Sequence, residues 1–212
     1  AEKQIKHKNP DYNPDMVDEN DKKVFEMFSK GYTEGVFQFE SQGMKNVLTQ
    51  LKPERIEDLI AVTALYRPGP MDSIPVYIDC RHNPSHIRYK HPLLKEILGV
   101  TSGCIIYQEQ VMQIASVMGG FSLGQADLLR RAMGHKEPEI LQAQRELFVK
   151  GAAVQKISEE IANRVFDLMV HFAGYGFNKS HSVCYGWIAW QTAYLKAHYR
   201  PEFMAAMMTC YN

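Results

Sequence analysis

The chain has 212 residues and a formal net charge of zero, with 24 basic side chains against 24 acidic ones. Apolar residues make up 45% and charged residues 23%. That is a globular mix, which argues against disorder and against a basic tail while leaving local charged patches open. No run approaches the roughly 18 consecutive apolar residues of a membrane span, and the opening AEKQIKHKNPDYNPD lacks the apolar core of a signal peptide.

In chain order, residues 1–20 are polar, carry Pro10 and Pro14, and read as an extended lead-in. Asp18, Glu19 and Asp21 complement the start of a short helix through Val24, Met27 and Phe28 that stops at Gly31. Val36-Phe37-Gln38-Phe39 alternates enough to predict one short strand. Ser41 opens a helix through Leu48 and Leu51, closed by Pro53, and another runs from about Glu54 to Leu65. Arg67-Pro68-Gly69-Pro70 stops that helix, because two prolines bracket a glycine. Short helices follow over Ile74–His82 and Pro92–Leu98, with a polar loop between them.

Val111, Ile114, Ala115 and Met118 recur at helical spacing up to Gly119-Gly120. Ser122-x-x-Gln125 is a capping box for a helix over Leu123–Met133. Pro138 suits the first turn of the next helix, and Ser158 caps another with Ile161, Val165, Leu168 and Met169 inward. Gly174 and Gly176 break the chain before a helix from near Ser180 to about His198, and Pro201 starts the last one. The fold class is therefore mainly α, a compact multi-helix domain with at most a small β element. The four cysteines, Cys80, Cys104, Cys184 and Cys210, are far apart, which favours free thiols in a reducing cytoplasm over a disulfide or metal framework.

Three places carry candidate chemistry. In Leu128-Leu129-Arg130-Arg131-Ala132-Met133-Gly134-His135-Lys136, helical spacing puts Leu128, Leu129 and Met133 toward the core and Arg130 and Arg131 toward the open side. His135 and Lys136 follow at the helix end. Arginine forks match phosphate oxygens in pairs and lysine adds a point charge; a solvated helix face accounts for the spacing equally well. The second place runs from Leu168 to Pro201, which holds no Asp or Glu but has Lys179, Lys196, Arg200, three histidines and eight aromatic residues. Basic residues interleaved with aromatics are the composition of a nucleic-acid surface. Trp187, Trp190 and Tyr194 fit the core better. Asn178, Lys179 and His181, which follow a double-glycine hinge, fit a phosphate site at the start of the long helix. The third place is Arg67, held by the rigid Y-R-P-G-P turn, where a purely structural arginine is equally consistent.

Several motifs are missing. There is no Walker-type phosphate loop, H-E-x-x-H or G-x-S-x-G, and no Asp-x-Asp on an expected strand for paired Mg²⁺ ions. A phosphate-handling helical surface without metal carboxylates looks like half of an active site.

Taken together, G-V-F-Q-F-E-S-Q-G-M (35–44), A-L-Y-R-P-G-P-M (64–71), I-I-Y-Q-E-Q-V-M-Q-I-A (105–115), G-F-S-L-G-Q-A-D-L-L-R-R-A-M-G-H-K (120–136) and F-A-G-Y-G-F-N-K-S-H-S (172–182) resemble the α subunit of bacterial DNA polymerase III. The Y-R-P-G-P-M form looks like the DnaE type of that C family, and the resemblance covers about residues 18 to 210. Two departures are His135, where the family often has lysine, and Arg200 before Pro201.

The resemblance implies a junction after the palm over residues 1–33 and a fingers domain over residues 34–212. It implies that Arg130, Arg131, Lys136 and Arg67 bind the triphosphate of an incoming dNTP. It also implies that Tyr175, Asn178, Lys179 and His181 lie against the nascent base pair and template. The palm aspartates that hold Mg²⁺ would lie upstream, so that this chain binds no metal and is inactive alone as a nucleotidyltransferase. Its partners would be template-primer DNA, dNTPs, the rest of the α subunit and the replicative holoenzyme in the cytoplasm, with no membrane. The alternative is a freestanding helical module that binds single-stranded nucleic acid or acts as a scaffold.

Overall fold

Apolar residues at helical spacing, set between capping side chains, dictate a helical chain, and the computed structural model describes it over residues 1–135, 138–173 and 176–210. The helices are α1 (Glu2–Lys8), α2 (Lys22–Ser29), α3 (Gln42–Leu51), α4 (Ile56–Leu65), α5 (Ile74–His82), α6 (Leu94–Leu98), α7 (Gln108–Gly119), α8 (Leu123–His135), α9 (Pro138–Val154), α10 (Glu159–Ala173), α11 (Lys179–His198) and α12 (Arg200–Cys210). Four short 3₁₀ turns accompany them among the described residues. The chain divides into two units, one of residues 1–63 with 180–212 and one of residues 64–179.

In the first unit, Asp21 is the N-cap of α2, its carboxylate accepting from Val24 N at 2.9 Å, and Ser41 caps α3 by accepting from Met44 N at 3.3 Å. These caps satisfy N–H groups that a helix start leaves unpaired. Val24, Phe25 and Phe28 of α2 and Met44, Leu48 and Leu51 of α3 are buried with Trp190 of α11. The Trp190 ring lies 4.6 Å from Phe25 and 6.2 Å from Phe28, and its indole N–H donates to the Asp18 carbonyl at 3.1 Å. Gly186 lets α11 approach α4, since a Cβ there would meet Ile60 at 2.9 Å, and the Ser182 hydroxyl donates to the Ile60 carbonyl at 2.8 Å.

Two expectations fail here. Residues 1–20 are not an extended lead-in: α1 forms, Ile5, Tyr12 and Val17 are buried, and Lys8 pairs with Glu202 of α12 at 2.7 Å. Nor is there a strand at 36–39. Val36 N donates to the Thr33 carbonyl and Phe39 N to the Val36 carbonyl, both at 3.0 Å, with Gln38 at φ 65°. These are turns, and they bury Val36 and Phe39, residues that an alternating strand would have placed on opposite faces.

The second unit has one core built by α7, α8, α9 and α10, with Val111, Ile114, Met118, Leu129, Met133, Phe148, Val165, Phe166 and Met169 inside. α7 and α9 touch backbone to backbone, because a Cβ on Gly151 would lie 1.8 Å from the Gly119 carbonyl oxygen. Gly120, at φ 69°, ends α7. The Ser122/Gln125 box then starts α8 as expected, with Ser122 N donating to Gln125 Oε1 at 2.9 Å and Gln125 N to Ser122 Oγ at 3.3 Å. Ser158 caps α10 through Ile161 N, with Val165 and Met169 fully buried.

Candidate functional site

The second unit brings four of the sequence motifs together. Its frame is Gln110, buried in the first turn of α7. The Gln110 side-chain oxygen accepts from Ile106 N at 2.8 Å and Tyr107 N at 3.0 Å, and its amide donates to Thr101 Oγ1 at 2.8 Å. A buried amide satisfied on both sides fixes the backbone it grips. On that backbone Tyr107 pairs with Phe177: Phe177 N donates to the Ile106 carbonyl at 3.1 Å and Gln108 N to the Phe177 carbonyl at 2.9 Å. This isolated bridge joins two motifs and lies away in sequence from the segment 36–39 where β structure was expected.

Arg67 follows α4 in the turn that Gly69 makes at φ 104°. Its guanidinium sits 4.5 Å from the centroid of the Phe177 ring, and its Nε donates to the Ala64 carbonyl at 3.1 Å. Burial pushes the Arg67 pKa down, from a value so high that the charge persists. Lys179, at the start of α11, has its ammonium 5.8 Å from the Tyr107 centroid. Its backbone N–H donates to both Glu109 carboxylate oxygens, at 3.1 and 3.0 Å. The anion at this helix start is thus a protein carboxylate from α7. Asn178 beside it is exposed.

Arg130 and Arg131 share one carboxylate, that of Asp127 one turn earlier on α8. Arg130 donates from Nε at 2.9 Å and from Nη2 at 2.8 Å to Asp127 Oδ1, and Arg131 Nη2 lies 2.9 Å from Asp127 Oδ2. Arg130 Nη1 also reaches Gln108 Oε1 at 3.4 Å, which ties α8 to the Tyr107–Phe177 bridge. The hydrogen bond from Arg130, then the two positive charges, hold the Asp127 carboxyl below the usual range. The Arg130 side chain is 25% exposed and that of Arg131 64%, so one fork is braced and the other open. Two guanidinium groups against one carboxylate leave a net positive charge with N–H donors to spare, an arrangement suited to an oxyanion.

Leu128 corrects the sequence reading. It is 62% exposed, and the buried face of α8 is Ala126, Leu129, Ala132 and Met133. Lys136 and Tyr175 lie outside the described residues, as does the side chain of His135. His181 belongs to the first unit, where its ring stacks on Tyr185 at 4.2 Å.

The acid-free stretch is acid-free only along the chain. Within the first unit Lys196 donates to Glu34 Oε2 at 3.1 Å, and His198 meets Asp21 at 2.9 Å. Sequence reasoning missed Asp127, Gln108 and Glu109. Asp127 was legible as an i, i+3/i+4 partner of the arginines; Glu109, 70 residues from Lys179, gave no local signal.

A family model described as the finger domain of the bacterial DNA polymerase III alpha subunit matches residues 1–156. The chain is 51% identical to DNA polymerase III subunit alpha of Borreliella burgdorferi over 209 residues, 99% of this chain and 18% of that protein. It is 54% identical to the protein of the same name from Bacillus subtilis over 90% of this chain and 17% of that one. For Halalkalibacterium halodurans the identity is 55% over 89% of this chain and 17% of the relative. The chain spans less than a fifth of the length of these curated relatives.

Proposed function

Because the chain belongs to the finger-domain family of the bacterial DNA polymerase III α subunit, we propose that it is the fingers portion of a replicative DNA-directed DNA polymerase. In this reading the Arg130–Arg131 pair receives the triphosphate of an incoming dNTP, with Arg67 and Lys136 contributing charge. Tyr175, Asn178, Lys179 and His181 meet the nascent base pair and template. The observation that carries the reading is the shared brace: Asp127 aims both guanidinium groups from a helix whose start is fixed by the Ser122/Gln125 box. An arginine already held loses little conformational freedom when it binds, and its charge stays on at every working pH.

The chain's own residues bind and orient the nucleotide and place positive charge beside it. Among the described residues no group of three or more His, Cys, Asp or Glu side chains is placed to hold a metal ion. In this reading Mg²⁺ belongs to palm carboxylates outside the chain, where it would supply charge neutralisation at the reacting phosphate. This chain by itself then extends no primer. Its partners are template-primer DNA, dNTPs, the rest of the α subunit and the replicative assembly, and its compartment is the cytoplasm. No helix among the described residues is long and apolar enough to cross a membrane.

The test is Arg130→Ala and Arg131→Ala in the whole α subunit. A charge-assisted contact contributes about 1.5–3 kcal/mol, so dNTP kcat/KM should fall roughly ten- to a hundredfold. DNA affinity and its salt slope should hold. A reduced salt slope with dNTP dependence intact would instead assign the pair to the DNA backbone.

A further inference from the structure

A second cationic feature lies in the unit of residues 1–63 and 180–212. A cleft of about 580 Å³ is lined by Lys23, Met27 and Tyr32 with Glu34, Lys196 and Arg200. A shallower cleft continues it, sharing Lys23, Met27 and Tyr32 and adding Glu26 and Lys30. Lys23, Met27 and Lys30 fall on one face of α2 and its C-cap, at i, i+4 and i+7. Through these shared residues the two clefts form one groove.

The charges in it are unequal. Glu26 is neutralised by Lys30 at 2.6 Å. Glu34 is held by Lys45 at 2.6 Å and by Lys196, whose ammonium also donates to the Glu34 carbonyl at 2.7 Å. Two of the three N–H donors of the Lys196 ammonium go to Glu34, and its side chain is only 11% exposed, so that it adds charge to the cleft rather than an open contact. Lys23 and Arg200 are exposed and have no hydrogen-bond or ion-pair partner among the described residues. Tyr32, which lines both clefts together with Met27, is 59% exposed. A purely acidic peptide would use the cations alone; a nucleic-acid strand uses both features, phosphates on the cations and a base on the ring.

We propose that this groove binds single-stranded nucleic acid, with Lys23 and Arg200 on phosphates, Lys196 adding charge to the cleft, and a base stacked on Tyr32. The site shares no residue with the Asp127 cluster, and it rests on the polymerase reading only in taking DNA as the source of the strand.

The experiment uses the whole α subunit and an oligo-dT strand carrying one 5-iododeoxyuridine, irradiated and mapped by mass spectrometry. Labelling is expected on Tyr32. The Lys23→Ala/Arg200→Ala double variant should lower the yield about tenfold and reduce the salt slope by roughly 0.7 per lost cation. Tyr32→Phe should keep the label, and the exposed positions leave folding intact by circular dichroism. Unlabelled oligo-dT and oligo-rU compete, the stronger competitor naming DNA or RNA as the source. Labels elsewhere than Tyr32, a yield unchanged in the double variant, or better competition by poly-glutamate overturns the proposal. At saturating primer-template, dNTP kcat/KM should be unchanged in the double variant. A defect there only in Arg130→Ala and Arg131→Ala keeps the two sites apart, so either can fail alone.

Discussion

Around Asp127 both guanidinium groups have an internal acceptor, whereas along the Tyr32 groove two cations, Lys23 and Arg200, have none among the described residues. The first region holds its charge by geometry. Arg130 reaches Asp127 and Gln108, and Gln108 begins the helix whose buried Gln110 grips the Tyr107–Phe177 bridge. The second holds its charge by not being neutralised. Aimed charge suits recognition of one small anion in one pose, and its effects should survive salt. Open charge along a groove suits a polymer in many registers, and its effects should fade as salt rises.

The largest effect comes from breaking the frame of the aimed region. Gly151→Ala puts a Cβ where the Gly119 carbonyl oxygen stands, 1.8 Å away, and backbone cannot move aside as a flexible side chain would. α7 and α9 must part, at a cost on the order of 3 kcal/mol or more. Thermal unfolding of this chain should show a markedly lower midpoint. Gly124→Ala on α8, where nothing lies within 4 Å of the added Cβ, should leave it unchanged or slightly raised. Equal midpoints for the two variants would mean that the α7–α9 approach does not hold the unit together.

The next effect tests whether aiming matters at all. Asp127→Ala leaves Arg130 and Arg131 their charge but removes their brace. In the whole α subunit dNTP kcat/KM should fall by about fivefold, less than the loss from deleting an arginine. Asp127→Glu, which restores a carboxylate on a longer stem, should recover part of it. A rise in kcat/KM for Asp127→Ala would show that the carboxylate competes with the nucleotide rather than positioning its partners.

The helices were legible where a local device marks them. The bounds of α5 and the caps at Ser41, Ser122 and Ser158 follow from residues within one turn of each other. α1 was not, because in seven residues it buries only Ile5 and so shows no apolar stripe. The 36–39 segment misled because alternation ignores backbone handedness, and Gln38 at φ 65° turns the chain there. On α8 two adjacent leucines looked alike, yet only Leu129 shares a face with Ala126 and Met133. In the sequence Arg67, Arg130 and Lys179 stand in isolated motifs. Their convergence depends on Tyr107, Gln108 and Glu109, whose relation to Phe177 and Lys179 spans about 70 residues and leaves no trace in spacing.

The smallest effect sharpens the other side of the comparison, at Glu34. The hydrogen bond from Lys45 first, then its own backbone, then Lys196, pull this carboxyl from the ordinary 4.5 down to about 2. A depressed folded value means the ion pairs stabilise the fold fully above pH 4.5, and that this contribution is lost as pH falls through about 2. The Glu34 side chain is 67% exposed, so water screens most of the pairing and the contribution stays below about 1 kcal/mol. Glu34→Gln should therefore cost little stability at neutral pH and should flatten the acid-side loss between those two values in urea titrations at stepped pH. The same substitution releases Lys45 and Lys196 from their counter-charge, so the groove gains positive potential and strand binding should tighten by about two- to threefold at low salt. Weaker binding would mean that Glu34 orders Lys196 rather than offsetting it, and the groove would then resemble the aimed region it is contrasted with. An unchanged acid slope would mean that the Lys45 and Lys196 contacts do not persist in solution.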